Sequence, residues 1–351
     1  MSTASTALDL TTRCSRTSTQ ALRHGLQLAT DPKGTYRAGS LLLRGSPSVL
    51  SWLAGWVSAE FPPQVLTGHA LSRVTVPVVG GVATRWAAQH ADEVLTEALQ
   101  QSLGARYCER VHHPISVEPG CVRRGGLLQM AGHRRRYAAQ TTDIAYGPGG
   151  RDHLLDVWRS PEVTGGCRAP VLVQVPGGAW TISDKRGQGY PLMSRMTELG
   201  WICVAINYGR SPRNAWPAHL VDVKRAIAWV RDHIAEYGGD PGFVAITGGS
   251  AGAHLASLAA LTAGDTGLQP GFEEADTTVQ AVAPYYGVYD FTDTEKMHEV
   301  MLPFLEHFVM QARYADDPEL FESASPISHV HAGAPPFFVL HGENDSVVPS
   351  A

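Results

Sequence analysis

Few of the features that classify a chain at a glance are present in this one. Its 351 residues include only five cysteines, at 14, 108, 121, 167 and 203, odd in number and without a C-x-x-C pair. That spacing offers neither a disulfide framework nor a cysteine-built zinc site, and it suits a reducing compartment. The longest apolar stretches, around 48–57 and 74–84, fall short of the roughly 20 residues a membrane-spanning helix needs. Residues 1–30 lack the continuous hydrophobic region of a signal peptide. A soluble, cytoplasmic protein is therefore expected, with cell-envelope association as the alternative. Net charge is small, at -5, which gives no reason to expect nucleic acid as a partner. A local basic cluster, Arg123-Arg124 and Arg134-Arg135-Arg136, reads as a solvated loop in preference to an anion or lipid-headgroup patch. The fifteen histidines contain no H-E-x-x-H, so no metal site is expected. No internal repeat is visible.

What is there is an ordinary apolar content of 44%, enough for a large core, and one stretch around which the rest is arranged. Val244-Ala245-Ile246-Thr247 is short, apolar and β-branched, as a buried parallel strand should be. It runs through Gly248-Gly249-Ser250-Ala251-Gly252 into a helix-forming segment, Leu255–Leu261. Strand, sharp turn and helix with this G-x-S-x-G spacing make a nucleophile elbow. Glycine at 248 and 252 removes the Cβ atoms that would collide in so tight a turn. The Ser250 hydroxyl then stands clear of the sheet, and the Ala251 amide, at a helix start, is free to donate to an oxyanion. By itself the pentapeptide is a weak signal.

The chain in order gives three regions. Residues 1–40 are rich in Ser, Thr and Arg and read as a disordered tail. Residues 41–136 read as a helical extension: 48–57 and 87–103 repeat apolar residues at helical spacing, the latter with Val94, Leu95, Ala98, Leu99 and Leu103 on one face. A substrate lid or packing against the next domain is favoured there over a membrane-surface anchor at Trp52 and Trp56. A Gly- and Arg-rich link covers 119–136. From 137 to 351 strand and helix alternate. Strands are expected at 152–158, 170–175, 202–206, 244–247, 279–283 and 336–340. Helices are expected at 190–199, at 217–237 with Asp222 on its polar side, and at 294–313. The alternation predicts an α/β fold with a mostly parallel sheet and helices on both faces.

Two further pieces sit after buried strands. Pro176-Gly177-Gly178-Ala179-Trp180 places adjacent glycines where backbone amides can turn to a ligand. If the loop abuts the elbow, the amides of Gly177, Gly178 and Ala251 face one developing oxyanion. Near the C-terminus, Phe337–Leu340 precedes His341-Gly342-Glu343-Asn344-Asp345. An acid just past a strand lies where open α/β sheets bind ligands, and the Asp345 carboxylate can orient a histidine or simply cap a turn.

These residues resemble the α/β-hydrolase fold, and within it the hormone-sensitive-lipase-like carboxylesterases. The likeness runs through roughly 137–351: Asn207-Tyr208, then Tyr237-Gly238-Gly239-Asp240-Pro241, the Ser-Ala-Gly elbow, and His-Gly-x-x-Asp-x-x-Val-Pro. The N-terminal segment is similar to the extension of actinobacterial Lip-type esterases. The resemblance implies hydrolysis of a small-molecule carboxylic ester, of short to medium acyl chain, through an acyl-enzyme and without metal or organic cofactor. It implies Ser250 as nucleophile, Asp345 as triad acid, and Gly177, Gly178 and Ala251 as the oxyanion hole.

Three departures stand out. Pro176 occupies the place of the histidine that usually opens the oxyanion loop. Asn207-Tyr208-Gly209-Arg210 replaces Asp-Tyr-Arg-Leu. The catalytic histidine, which in this fold follows the acid, has no match between Asp345 and Ala351. His254, one helical turn beyond Ser250, is a weak substitute: helical side chains lean toward the N-terminus and onto the i-4 face, whereas a base must also meet Asp345; His341 is expected to brace its loop. The expectation is a C-terminally incomplete esterase, lacking a terminal strand and helix. A non-catalytic or vestigial domain that binds a small ligand is the alternative.

Overall fold

The computed structural model describes residues 91, 93–104, 106–110, 126–139, 141–182, 184–292, 301–343, 345, 347 and 348. The expected tail at 1–40 and the Trp52–Trp56 segment lie outside them. The chain divides into two compact units, Met1–Pro119 and Gly120–Ala351. In the first, residues 93–103 are helical. Leu95 and Leu99 of the expected face are half-buried, whereas Val94 and Leu103 are exposed.

The second unit is built on a six-stranded sheet: β1 (Ile144–Ala145), β2 (Leu154–Trp158), β3 (Ala169–Val175), β4 (Ile202–Ile206), β5 (Gly239–Gly249) and β6 (Ala281–Tyr285), in the order β1-β2-β4-β3-β5-β6. The four strands β4-β3-β5-β6 run parallel, and β1 and β2 add an antiparallel edge. Residues 336–340, expected as a strand, pair with β6 through two parallel bridges, Val282 with Phe337 and Tyr285 with Leu340. The central strands are buried on both faces, which is why they read as unbroken apolar runs.

Four helices carry the layers: α1 (Gly126–Ala138), α2 (Tyr190–Glu198), α3 (Ala218–His233) and α4 (Ala251–Leu261). Strand residues alternate in direction, and the core divides accordingly. Val171, Val173, Val204 and Ile246 pack with Leu220, Val223 and Ile227 of α3 and with Leu255 and Leu258 of α4. Their neighbours Leu172, Cys203, Ala205 and Ala245 join Tyr137 of α1 and Met193 of α2. Helices thus cover both faces. Burial pushes the Cys203 thiol up to about 12.

Two expectations need correction. Arg134, Arg135 and Arg136 are not in a loop: they lie in α1, and Arg134 reaches to 3.6 Å from Asp156 of β2. Asp222 is not on a solvated face either. It is buried, accepting from His153 Nε2 at 2.8 Å and from the Gly209 amide at 2.8 Å. The Gly149 amide donates to His153 Nδ1, which leaves Nε2 as the ring atom that donates to Asp222.

The segment after β3 is tied down by charge. Lys185 and Asp156 are both almost fully buried, 3.0 Å apart. Lys185 also donates to Asp143. Arg186 Nε donates to Asp156 Oδ2 at 3.0 Å, and Arg186 Nη2 to Asp143 Oδ2 at 2.7 Å. Lys185 and Arg186 together hold the Asp143 carboxyl down at about 2. Removing one partner of a buried pair strands the other charge, whereas replacing both often does not destabilise. Asp156→Leu is therefore expected to cost about 3–5 kcal/mol in urea unfolding, and Asp156→Leu combined with Lys185→Met distinctly less. A single replacement costing under about 1 kcal/mol would show the cluster to be solvent-screened.

Candidate active site

At the C-terminal end of β5 the chain turns into α4 through Ser250, whose φ of 54° and ψ of -122° lie outside the regions favoured by residues with a Cβ. Three constraints hold it there. Its amide donates to Tyr285 O at 2.9 Å, and its carbonyl accepts the first bond of α4 from His254 at 3.0 Å. The glycines supply the third. A Cβ on Gly248 would lie 2.5 Å from the Gly252 carbonyl carbon, and one on Gly252 would overlap Val175 O and come within 2.9 Å of Pro176. Ser250 remains half-exposed, and its hydroxyl has no hydrogen-bond partner among the described residues. Beside it Gly249 faces Tyr286, whose hydroxyl would be 2.6 Å from an added Cβ.

Register brings the loop after β3 to the same place. Val175 pairs with Gly248, and a Cβ on Gly177 would overlap Gly249 O, so loop and elbow touch. The loop then passes through Gly178 (φ 113°), Ala179 (φ 50°) and Trp180 (φ 58°). Trp180 is buried and locks the far end of the loop, donating from Nε1 to His254 Nδ1 at 3.2 Å and meeting Phe291 edge-on.

The expected set of three donors is altered in one respect. The Gly177 amide donates to Gln188 Oε1 at 2.9 Å, so it is not available to an oxyanion in this arrangement. The amides of Gly178 and Ala251 have no acceptor among the described residues. Nor does that of Ala179, which the sequence reading passed over because only the left-handed backbone at 179 reveals it.

His254 is occupied as a structural pin. Nδ1 accepts from Trp180, Nε2 donates to Ala324 O at 2.7 Å, and the ring stacks on Phe291 at 4.4 Å. Burial pushes its pKa down to about 3. With both nitrogens used it is not placed to take a proton from Ser250. His341 Nε2 donates to Val348 O at 2.7 Å and lies 3.8 Å from Asp345 Oδ2.

Asp345 sits beyond the 336–340 segment. Its Oδ1 accepts from the amides of Val347 (2.9 Å) and Val348 (3.0 Å), which is turn capping. Oδ2 has no hydrogen-bond donor among the described residues. Gly249 pairs with Tyr285, and Tyr285 with Leu340, so two strand spacings, about 10 Å, separate the end of β5 before Ser250 from Leu340, five residues before Asp345. Among the described residues no three His, Cys, Asp or Glu side chains are gathered as metal ligands, and no helix is long and apolar enough to cross a membrane.

A strained serine between glycines, abutting a loop whose Gly178 and Ala179 amides have no acceptor among the described residues, at the C-terminal edge of a mostly parallel sheet, defines an α/β hydrolase. The BD-FAE family model matches residues 155–351, and the chain belongs to that family, among the hormone-sensitive-lipase-like carboxylesterases. It is 65% identical to the esterase LipQ of Mycobacterium tuberculosis (strain ATCC 25618 / H37Rv), over 97% of this chain and 82% of LipQ. It is 44% identical to the esterase LipC of the same strain, over 84% of this chain and 80% of LipC. Among solved structures, the truncated form of a carbohydrate esterase from gut microbiota is 26% identical with a TM-score of 0.54, covering 61% of this chain and 80% of that one.

Burial also lowers the pKa of His219, to about 4. Both rings fold neutral, while in the unfolded chain they titrate near 6.5. The unfolded state thus binds more protons below pH 6.5, and stability falls as pH drops from there toward 4. A single such histidine accounts for about 2 kcal/mol by pH 5. Urea unfolding of His254→Gln should show a shallower loss between pH 6.5 and 5 than the unsubstituted protein. Parallel curves would place the ring's titration elsewhere.

Proposed function

We propose that the protein hydrolyses carboxylic esters of short to medium acyl chain through an acyl-enzyme formed on Ser250. Gly178 and Ala251, with Ala179, supply the oxyanion hole, and Gly177 supports it from behind. Asp345 orients the histidine that serves as general base. The observation that carries this reading is the left-handed Ser250, held by backbone contacts between Gly248, Gly252 and the Val175–Pro176 carbonyls. Such strain persists only where the surroundings over-determine it, and it gathers at reacting groups.

The separation of the two strand ends supports the assignment. The strand ends leading to the two residues lie about 10 Å apart, a spacing that leaves room for an imidazole between a carboxylate and a hydroxyl. The histidines nearest by sequence, His254 and His341, already donate to carbonyls, so the base is proposed to lie outside the described residues. The names of LipQ and LipC, both esterases, agree with this chemistry.

In the protein at its natural length, an alkyl fluorophosphonate should label Ser250 and no other serine. Ser250→Ala should lower kcat for a p-nitrophenyl acyl ester by at least about 10³-fold. Labelling at another residue would overturn the assignment. Tight ester binding without labelling or turnover would instead establish the alternative, a vestigial ligand-binding domain.

A further inference from the structure

The peptide unit joining Pro176 to Gly177 is gripped at both of its polar atoms by side chains from other parts of the fold. The Tyr208 hydroxyl, just beyond β4, donates to the Pro176 carbonyl at 3.0 Å. On the opposite edge the Gly177 amide donates to Gln188 Oε1 at 2.9 Å. A peptide is planar, so fixing its oxygen and its hydrogen fixes the plane. The next peptide in the chain carries the Gly178 amide. From these contacts we infer that Gln188 is a positioning residue for the ester hydrolysis proposed above, on which this inference rests: it sets the plane of the 176–177 peptide and so aims the Gly178 N–H at the developing oxyanion.

The site needs such a device because Pro176 has no N–H of its own and glycines at 177 and 178 leave the backbone free to rotate. Gln188 is itself held. It lies two residues beyond the Lys185–Arg186 anchor on Asp143 and Asp156. The Lys185 amide donates to Asn207 Oδ1 at 2.8 Å. Gly189, which follows Gln188, is left-handed at φ 79° and packs on Gln174 of β3. The buried ion cluster thus reaches the oxyanion loop through one side-chain amide. Tyr208, buried, closes the other side, and its hydroxyl stays protonated because burial raises its pKa.

The test uses the protein at its natural length. Gln188→Met keeps the length of the side chain and removes the acceptor. It should lower kcat for an aryl ester about 10- to 100-fold, the scale of a small misplacement of reacting groups, with KM changed by less than about twofold. The inhibition constant of an aryl trifluoromethyl ketone, whose adduct places an oxyanion in the hole, should rise by the same factor as kcat falls. The thermal midpoint should move by only a few degrees. Tyr208→Phe, which releases the other edge of the peptide, should show the same split. An unchanged kcat, a rise in KM alone, or activity lost only in step with the thermal midpoint would overturn the inference while leaving Ser250 chemistry standing. Failure of the unsubstituted protein to take up fluorophosphonate would instead remove the reading beneath it.

Discussion

The constraint on which the site depends is a backbone-to-backbone contact without side chains between. Gly248 and Gly252 let the start of α4 rest directly on the carbonyls of Val175 and Pro176, and Gly177 rests on Gly249 in return. A single methyl group at any of these positions would push β3 and β5 apart at their ends. The closeness has two consequences. It holds Ser250 in a backbone conformation that costs on the order of 1–3 kcal/mol, and it brings amides from two separate chain segments to one hydroxyl. Strain and convergence share a cause.

Around that contact, polar side chains act mainly as fasteners. His254 links the oxyanion loop to α4 and to Ala324; His153 links the turn before β2 to α3; His219 donates to Ser211 Oγ. Each is buried, and for His254 and His219 desolvation holds the ring neutral. Such a pin makes a poor base where both nitrogens are occupied, as in His254, or where burial disfavours protonation in the folded state, as in His254 and His219. These histidines thus hold the site together, and none of them is the base proposed for its chemistry.

Much of this was legible in the sequence, for a physical reason. Buried parallel strands read as unbroken β-branched runs, so β3, β4 and the core of β5 stood out, and the G-x-S-x-G spacing is dictated by sterics local to five residues. The alternation of strand and helix carried the topology. What was not legible depends on partners distant in sequence. Asp222 sits where a helical pattern puts a solvated residue, and only the approach of His153, 69 residues away, makes it buried. Arg134–Arg136 read as a loop because α1 has little apolar periodicity of its own; it is supported by Asp156 and the β2 side of the sheet. The occupation of the Gly177 amide by Gln188 leaves no trace in the local sequence. A donor's availability depends on what else reaches it, and no spacing rule records that.

The two readings of Asp345, turn cap and triad acid, are compatible, and the geometry shows why. One carboxylate oxygen takes two backbone amides, which is the whole requirement of the cap. A carboxylate is planar, so anchoring Oδ1 at two points also fixes the direction of Oδ2. The rotational freedom that a free aspartate would lose on meeting an imidazole has been given up in folding, and Oδ2 keeps its acceptor capacity. A carboxylate that only capped a turn could be replaced by asparagine with little change, since the amide oxygen accepts the same bonds. One that also orients an imidazole could not, because the amide offers a hydrogen, or no charge, where the ring's N–H needs a negative acceptor. On the proposed reading, the turn that looked like the simpler explanation of this residue is also the means by which its second oxygen would be held for an imidazole.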